Sequence, residues 1–261
     1  MAINAEFLKE ERNKEWRTQL RQGIKNKERD CREINKMPEQ DPDVRNKNSK
    51  EVNLGLSEEQ AVTESQRCID CPDPTCITGC PVEINIPEFI KYIEARAFLS
   101  SARVLKQTNS LPAVCGRVCP QEVQCEVQCF YVRKMNKPAV AIGHLERFAA
   151  DYERDSGKMF VPETAEKKNI KVGIIGSGPG GLTAAGDLAK YGYDVTVFEA
   201  LHELGGVLKY GIPEFRLPNN VVDVEIDNLR KMGVKFITNF IVGKTASVDD
   251  NVDILLLSKD Q

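Results

Sequence analysis

The sequence predicts two domains of different class, an all-helical, cysteine-rich domain followed by an α/β domain of the Rossmann kind. Three observations carry that expectation. Eight of the nine cysteines fall in two compact groups between residues 68 and 129. The segments flanking those groups place apolar residues at helical spacing. From Ile170 onward an apolar run leads into G-x-G-x-x-G, after which helix-like and strand-like stretches alternate.

A chain of 261 residues has room for one large or two modest domains with real cores. Its 36 Lys and Arg against 39 Asp and Glu leave a net charge of −3, so no basic face points to nucleic acid. The start, MAINAEFLKEERNKEW, is charged and has no apolar signal-peptide core, and no apolar run approaches the roughly 20 residues that span a bilayer. A cytoplasmic location is expected. There thiols stay reduced, and clustered cysteines bind metal more often than they form disulfides.

Residues 1–50 read as a charged N-terminal arm with scattered apolar positions at Phe7, Leu8, Trp16, Leu20 and Ile24. A weakly amphipathic helix followed by an extended stretch around Pro38 and Pro42 is predicted, either solvated or docking a partner. Cys31 stands alone there as a bystander thiol. Residues 51–160 form the helical domain. Ser57 with Gln60 offers a capping box, Pro87 opens one continuous helix over 87–107, and VAIGHLERFAADYERD supplies another. The polar stretch 158–169 is a boundary. Residues 168–261 then give a strand (IKVGIIG), a helix (PGGLTAAGDLAKYG), a strand (DVTVFEA), a helix (VEIDNLRKMG) and two further strands (VKFITN, VDILLLS).

The first cysteine group is C-x2-C-x4-C-x3-C-P, at Cys68, Cys71, Cys76 and Cys80. The second is C-x3-C-P-x4-C-x3-C, at Cys115, Cys119, Cys125 and Cys129. Zinc ribbons favour paired C-x2-C knuckles, and only Cys68 and Cys71 form one. The C-P ending occurs twice and is similar to two-cluster ferredoxins. The spacing thus favours iron–sulfur over zinc, and cysteine counting alone gives two all-cysteine sites. The fingerprint occupies Gly176, Ser177, Gly178, Pro179, Gly180 and Gly181, follows a strand, opens a helix and precedes Glu199 at the end of the second strand. Gly176 suits the tight turn, Gly178 the approach of backbone to pyrophosphate, Gly181 close helix–strand packing, and Glu199 a ribose diol. Clusters move single electrons and a flavin exchanges singles and pairs, so the two halves together point to an electron-transfer flavoprotein.

The motifs MPEQDPDVRNKN, EVNLGL, RCIDCPDPTCITGCPVEINIPEFI and VCGRVCP resemble the NADPH-dependent glutamate synthase small (beta) subunit family, which includes the ferredoxin:NADP transhydrogenase large subunit and a domain of dihydropyrimidine dehydrogenase. The resemblance runs from about Met37 to Val242 and implies a helical double-cluster domain ahead of an incomplete Rossmann-like FAD-binding domain. It implies one 4Fe–4S cluster on Cys68, Cys71, Cys76 and Cys129. The other falls to Cys80, Cys119, Cys125 and Glu146, with Cys115 a spare thiol. It further implies flavin contacts from LGGVLKYGIPEFRLP, through Gly205, Gly206 and Arg216, and from the backbone of Val242. His144 and His202 follow no metal spacing.

Full-length relatives insert an NADPH-binding domain with its own fingerprint. No second fingerprint occurs before Asp260 and Gln261, so the NADPH site is expected outside this chain, whether the shortness is natural or not. The expected function is transfer of electrons from NADPH through FAD and two clusters to a partner, the glutamate synthase large subunit or another acceptor. A non-catalytic electron relay and a transhydrogenase-type subunit stand as alternatives.

Overall fold

The computed structural model describes residues 4–245 and 254–257, the last four as backbone. Two compact units divide the chain: residues 1–41 with 53–158, and residues 42–52 with 159–261. The break expected near residue 50 is therefore an exchange, in which the short segment 42–52 groups with the second unit.

The first unit is helical. In chain order it contains α1 (Ala5–Asn13), α2 (Glu15–Gly23) and α3 (Asn26–Asp30). After α4 (Pro42–Arg45), which lies in the other unit, come α5 (Glu58–Ser65), α6 (Thr75–Thr78), α7 (Ile86–Glu94), α8 (Phe98–Thr108), α9 (Pro112–Val118), α10 (Phe130–Met135) and α11 (Ile142–Asp155). The capping box at α5 forms, with the Gln60 amide donating to Ser57 Oγ at 3.2 Å and the Ser57 amide to Gln60 Oε1 at 2.9 Å. The single helix expected over 87–107 is two. Arg96 adopts φ 56°, and the Ala97 amide turns back to the Tyr92 carbonyl at 2.8 Å, which ends α7 before α8 begins.

The apolar stripes of α7, α8 and α11 meet in one core. Phe89, Ile90, Ile93, Phe98, Leu105, Leu145 and Ala149 are buried there, and Phe98 packs edge-on against Phe148 and Tyr152 at 5.1 and 4.8 Å. Helices α9 and α11 approach so closely that a Cβ on Gly116 would lie 2.5 Å from the Arg147 backbone nitrogen. Gly116→Ala is therefore expected to force these helices apart and to cost on the order of 1–3 kcal/mol. Urea denaturation under anaerobic conditions measures it.

The N-terminal segment is folded onto this unit, in contrast to a solvated arm. Trp16 stacks on Tyr92 at 4.4 Å, and Arg17 and Arg29 are buried. Glu88 on α7 lies beside this seam, and burial, reinforced by the charge of Glu11 and opposed by Arg17 and Lys14, pushes its carboxyl up to about 7. The folded state thus holds the proton more tightly than the unfolded chain, whose carboxyl titrates near 4.5. Stability is full below that value and falls as pH rises to about 7. Glu88→Gln is expected to flatten this part of the pH dependence of the urea midpoint.

The second unit is a parallel sheet with helices packed on it. It contains β1 (Lys171–Ile175), α12 (Pro179–Lys190), β2 (Asp194–Phe198), α13 (Val207–Tyr210), α14 (Asn219–Lys231), β3 (Lys235–Ile237) and β4 (Ile254–Leu257). The strand order is β3-β2-β1-β4, with Lys171 opposite Asp194, Thr196 opposite Lys235 and Val172 opposite Ile254. That order is one half of a doubly wound nucleotide-binding sheet, whose switch point lies between β1 and β4. Val172, Ile174, Val195 and Val197 are buried from the strands, and Leu182, Ala185, Val222, Ile226 and Leu229 from α12 and α14. Among the described residues no helix is long and apolar enough to cross a membrane.

Candidate cofactor sites

All nine cysteines are thiols, with no disulfide among them. Cys68, Cys71, Cys76 and Cys129 line a single cavity, whose other walls include Ile69, Pro74, Ile86, Ile90, Tyr131, Val140 and Ile142. The turn after α5 presents Cys68 and Cys71, α6 carries Cys76, and Cys129 caps α10. Burial pushes the Cys68 thiol up, against the pull of Lys91. It also raises Cys71, to about 12, and holds Cys76 well above an ordinary thiol, and the neighbouring thiols reinforce both. Cys68, Cys71 and Cys76, whose charged forms would repel one another in this apolar cavity, become thiolates only with positive charge among them, as a metal core supplies. Four soft sulfur donors with no histidine or carboxylate on the cavity wall fit an iron–sulfur cluster.

The second group assembles where the α9 turn, the loop before α10 and α11 meet. Cys80 feels the charges of Glu146 and Cys119, and Cys125 those of Glu126, Glu146 and Cys80; burial raises both thiols. Cys115 shares a hydrogen bond with Cys119. It lowers Cys119 and, with burial, holds Cys115 well above an ordinary thiol. Glu146 is buried on α11, and its Oε1 accepts from Asn109 Nδ2 at 2.9 Å. Asn109 Oδ1 in turn faces the Cys115 thiol at 3.7 Å and accepts the Leu111 amide at 2.9 Å. Asn109 escapes sequence reading because an asparagine at a helix C-terminus ordinarily only closes the helix. Cys31 is exposed and remote in sequence from both groups. His144, on α11, has its pKa lowered by burial, and His202 lies 3.3 Å from the Tyr210 hydroxyl.

In the second unit the fingerprint glycines answer specific constraints. Gly176 has φ 95°, and a Cβ on Gly181 would meet the Gly176 carbonyl oxygen at 2.1 Å. Gly178 caps α12 and Pro179 opens it, so the amides of Gly178, Gly180 and Gly181 lie at the positive end of that helix. Gly206, at φ 53°, brings the LGG turn against this loop; its Cβ would lie 2.9 Å from Gly178 Cα. Glu199, expected to accept a ribose diol, is here bonded to the protein's own loops. Its Oε2 accepts from the Ser177 amide at 2.9 Å and from the Ser177 hydroxyl at 2.5 Å, and its Oε1 from the Leu201 amide at 2.9 Å. Burial alone would raise this carboxyl, but the Ser177 and Leu201 hydrogen bonds outweigh it and hold it below the ordinary range. The Gly205 amide donates to the same Ser177 hydroxyl at 3.0 Å. Arg216 is exposed in the turn that closes on Pro213, and Val242 is a single bridge residue after β3, just before the turn at 243–245.

These two sites define a class: an iron–sulfur domain joined in one chain to a Rossmann-like dinucleotide domain. Residues 45–158 match the family described as dihydropyrimidine dehydrogenase domain II, 4Fe–4S cluster, and residues 174–235 the NAD(P)-binding Rossmann-like domain. The chain is similar to subunits of NAD(P)-dependent oxidoreductases. It is 41% identical over 189 residues to the NAD-dependent dihydropyrimidine dehydrogenase subunit PreT of Escherichia coli O157:H7, covering 72% of this chain and 45% of that protein. It is 35% identical over 216 residues to the glutamate synthase [NADPH] small chain of Azospirillum brasilense, covering 82% and 45%. The corresponding figures for the Escherichia coli K12 small chain are 36% over 200 residues, 77% and 42%. The chain thus spans less than half the length of these relatives.

Proposed function

We propose that the chain is the cluster-bearing part of an electron-transfer flavoprotein, carrying electrons from NADPH through FAD and two 4Fe–4S clusters to a partner subunit. The observation that carries this reading is the apolar cavity walled by Cys68, Cys71, Cys76 and Cys129 in a chain that also holds a formed dinucleotide loop. The second cluster falls to Cys80, Cys119, Cys125 and Glu146. The hydrogen bond between Cys115 and Cys119 supports that choice, because it makes Cys115 a donor to a ligand sulfur. FAD is assigned to Gly176 through Gly181, with Glu199, Gly205, Gly206, Arg216 and the Val242 backbone around it. Bound there, the flavin exchanges electron pairs with a nicotinamide and single electrons with a cluster. The protein's own contribution is placement: α12 offers its positive end to the phosphates, and the helical unit keeps water from the thiolates.

For the partner, the small-chain relatives favour a glutamate synthase large subunit. The higher identity to PreT favours, as a second reading, an acceptor that reduces a pyrimidine. Iron, sulfide and flavin analysis with a visible spectrum, on protein purified without oxygen, tests the core of the proposal. About eight iron and eight sulfide per chain with bound flavin is the expected result. Zinc without sulfide overturns it, and iron without flavin reduces the chain to an electron relay. Oxidation of the reduced protein by one candidate acceptor and not the other decides the partner.

A further inference from the structure

The loop that carries Cys68 and Cys71 is gripped by the N-terminal helices. Asp70, between those cysteines, is fully buried and adopts φ 53°, a left-handed conformation that a non-glycine residue holds only when its surroundings impose it. Arg17 pairs with Asp70 Oδ1, and Arg21 Nη1 with Oδ2 at 2.6 Å. Arg12 Nε donates to the Asp70 carbonyl at 2.8 Å. The same pattern recurs one step away. Arg29 and Lys91 share the buried carboxylate of Glu94, at 2.7 and 2.5 Å, and both also donate to the Cys68 carbonyl, at 3.3 and 2.6 Å. Each buried carboxylate is thus shared by two cations, and positive charge is left over beside the cysteine loop. Glu88 lies beside the same helices, where Glu11, Arg17 and Lys14 act on it, and Arg12 feels Arg21, Asp70 and Arg17.

Resting on the cluster assignment proposed above, we infer that these arginines form a clamp that shapes the Cys68–Cys71 loop and raises the reduction potential of the cluster held there. Guanidinium groups stay charged at any working pH, and buried ones are little screened by salt. Reduction adds one negative charge to a cluster, so neighbouring cations stabilise the reduced state and carboxylates oppose it. Arg21 and Asp70 therefore act on the potential with opposite signs. They are positioning residues, because neither belongs to the ligand set.

The test is a potentiometric titration followed by electron paramagnetic resonance on the full chain at fixed pH. Arg21, 15% exposed, is the residue to change first, since Arg17 still pairs with Asp70 in its absence. Arg21→Gln is expected to lower the midpoint of one cluster and leave the other unmoved. Asp70→Asn is expected to raise that same midpoint, and Arg21→Lys, which keeps the charge, to stay at the wild-type value. Shifts of the same sign in Arg21→Gln and Asp70→Asn, or unmoved midpoints in both with iron retained, would overturn the clamp. Loss of iron from both together, with wild-type iron kept in Arg21→Lys, would support its hold on the loop. Wild-type protein lacking iron and sulfide would instead overturn the cluster assignment on which the clamp rests.

Discussion

Replacing Cys76 by serine is expected to remove one whole cluster, lowering iron and sulfide from about eight to about four per chain. The reason lies in the cavity. Cys76 is one of four thiols on its wall and is raised by burial and by the neighbouring thiols, so its sulfur is both deeply placed and electrostatically linked to the rest. A serine oxygen is a harder donor and is still less ready to ionise in an apolar wall. Because metal binding is coupled to folding, the variant should also lose helix stability in the first unit, read as a lower thermal midpoint by circular dichroism. Cys31→Ser, at an exposed position outside both groups, should keep the full iron content. Unchanged iron in Cys76→Ser would remove that cysteine from the ligand set.

Gly181→Ala is expected to abolish flavin binding while leaving iron untouched. A Cβ at this position would sit 2.1 Å from the Gly176 carbonyl oxygen, a backbone atom that cannot rotate away. Either α12 lifts from β1 or the tight turn opens, and both displace the amides at the head of the helix. The overpacking costs on the order of 1–3 kcal/mol of stability, and the displaced backbone costs the site. Flavin absorbance in the purified variant, set against its iron content, separates this local failure from general misfolding. Retention of flavin would show that the loop is not the cofactor's cradle.

The phosphate loop and three of the four cavity cysteines were legible in the sequence because they lie close together along the chain. Cys129 is distant and was grouped with them only by the family resemblance. Cysteine spacing marks ligand loops directly, and a strand–glycine–helix pattern marks a phosphate loop wherever it occurs. The α/β alternation from Ile170 was legible for the same reason: each element's period shows in a few residues. The split between α7 and α8 was hidden because Arg96, a residue with good helix propensity, is turned left-handed by its surroundings. The clamp was hidden more deeply. Arg17 and Asp70 lie far apart in sequence, and an arginine in a charged segment carries no sign of whether it faces water or a buried carboxylate. Ser177 was read as a cofactor-binding position of the fingerprint, and its structural role, a hydroxyl that joins Glu199 to Gly205, was not visible.

That single hydroxyl has a consequence for how the dinucleotide site behaves before any ligand arrives. It ties together the phosphate loop, the end of β2 and the turn that begins at Gly205, three stretches that would otherwise wander independently at their shared rim. Ordering loops on binding costs affinity, and each stretch already held in place removes part of that cost. These rim segments are thus ordered during folding, and a ligand that binds there meets less of that cost.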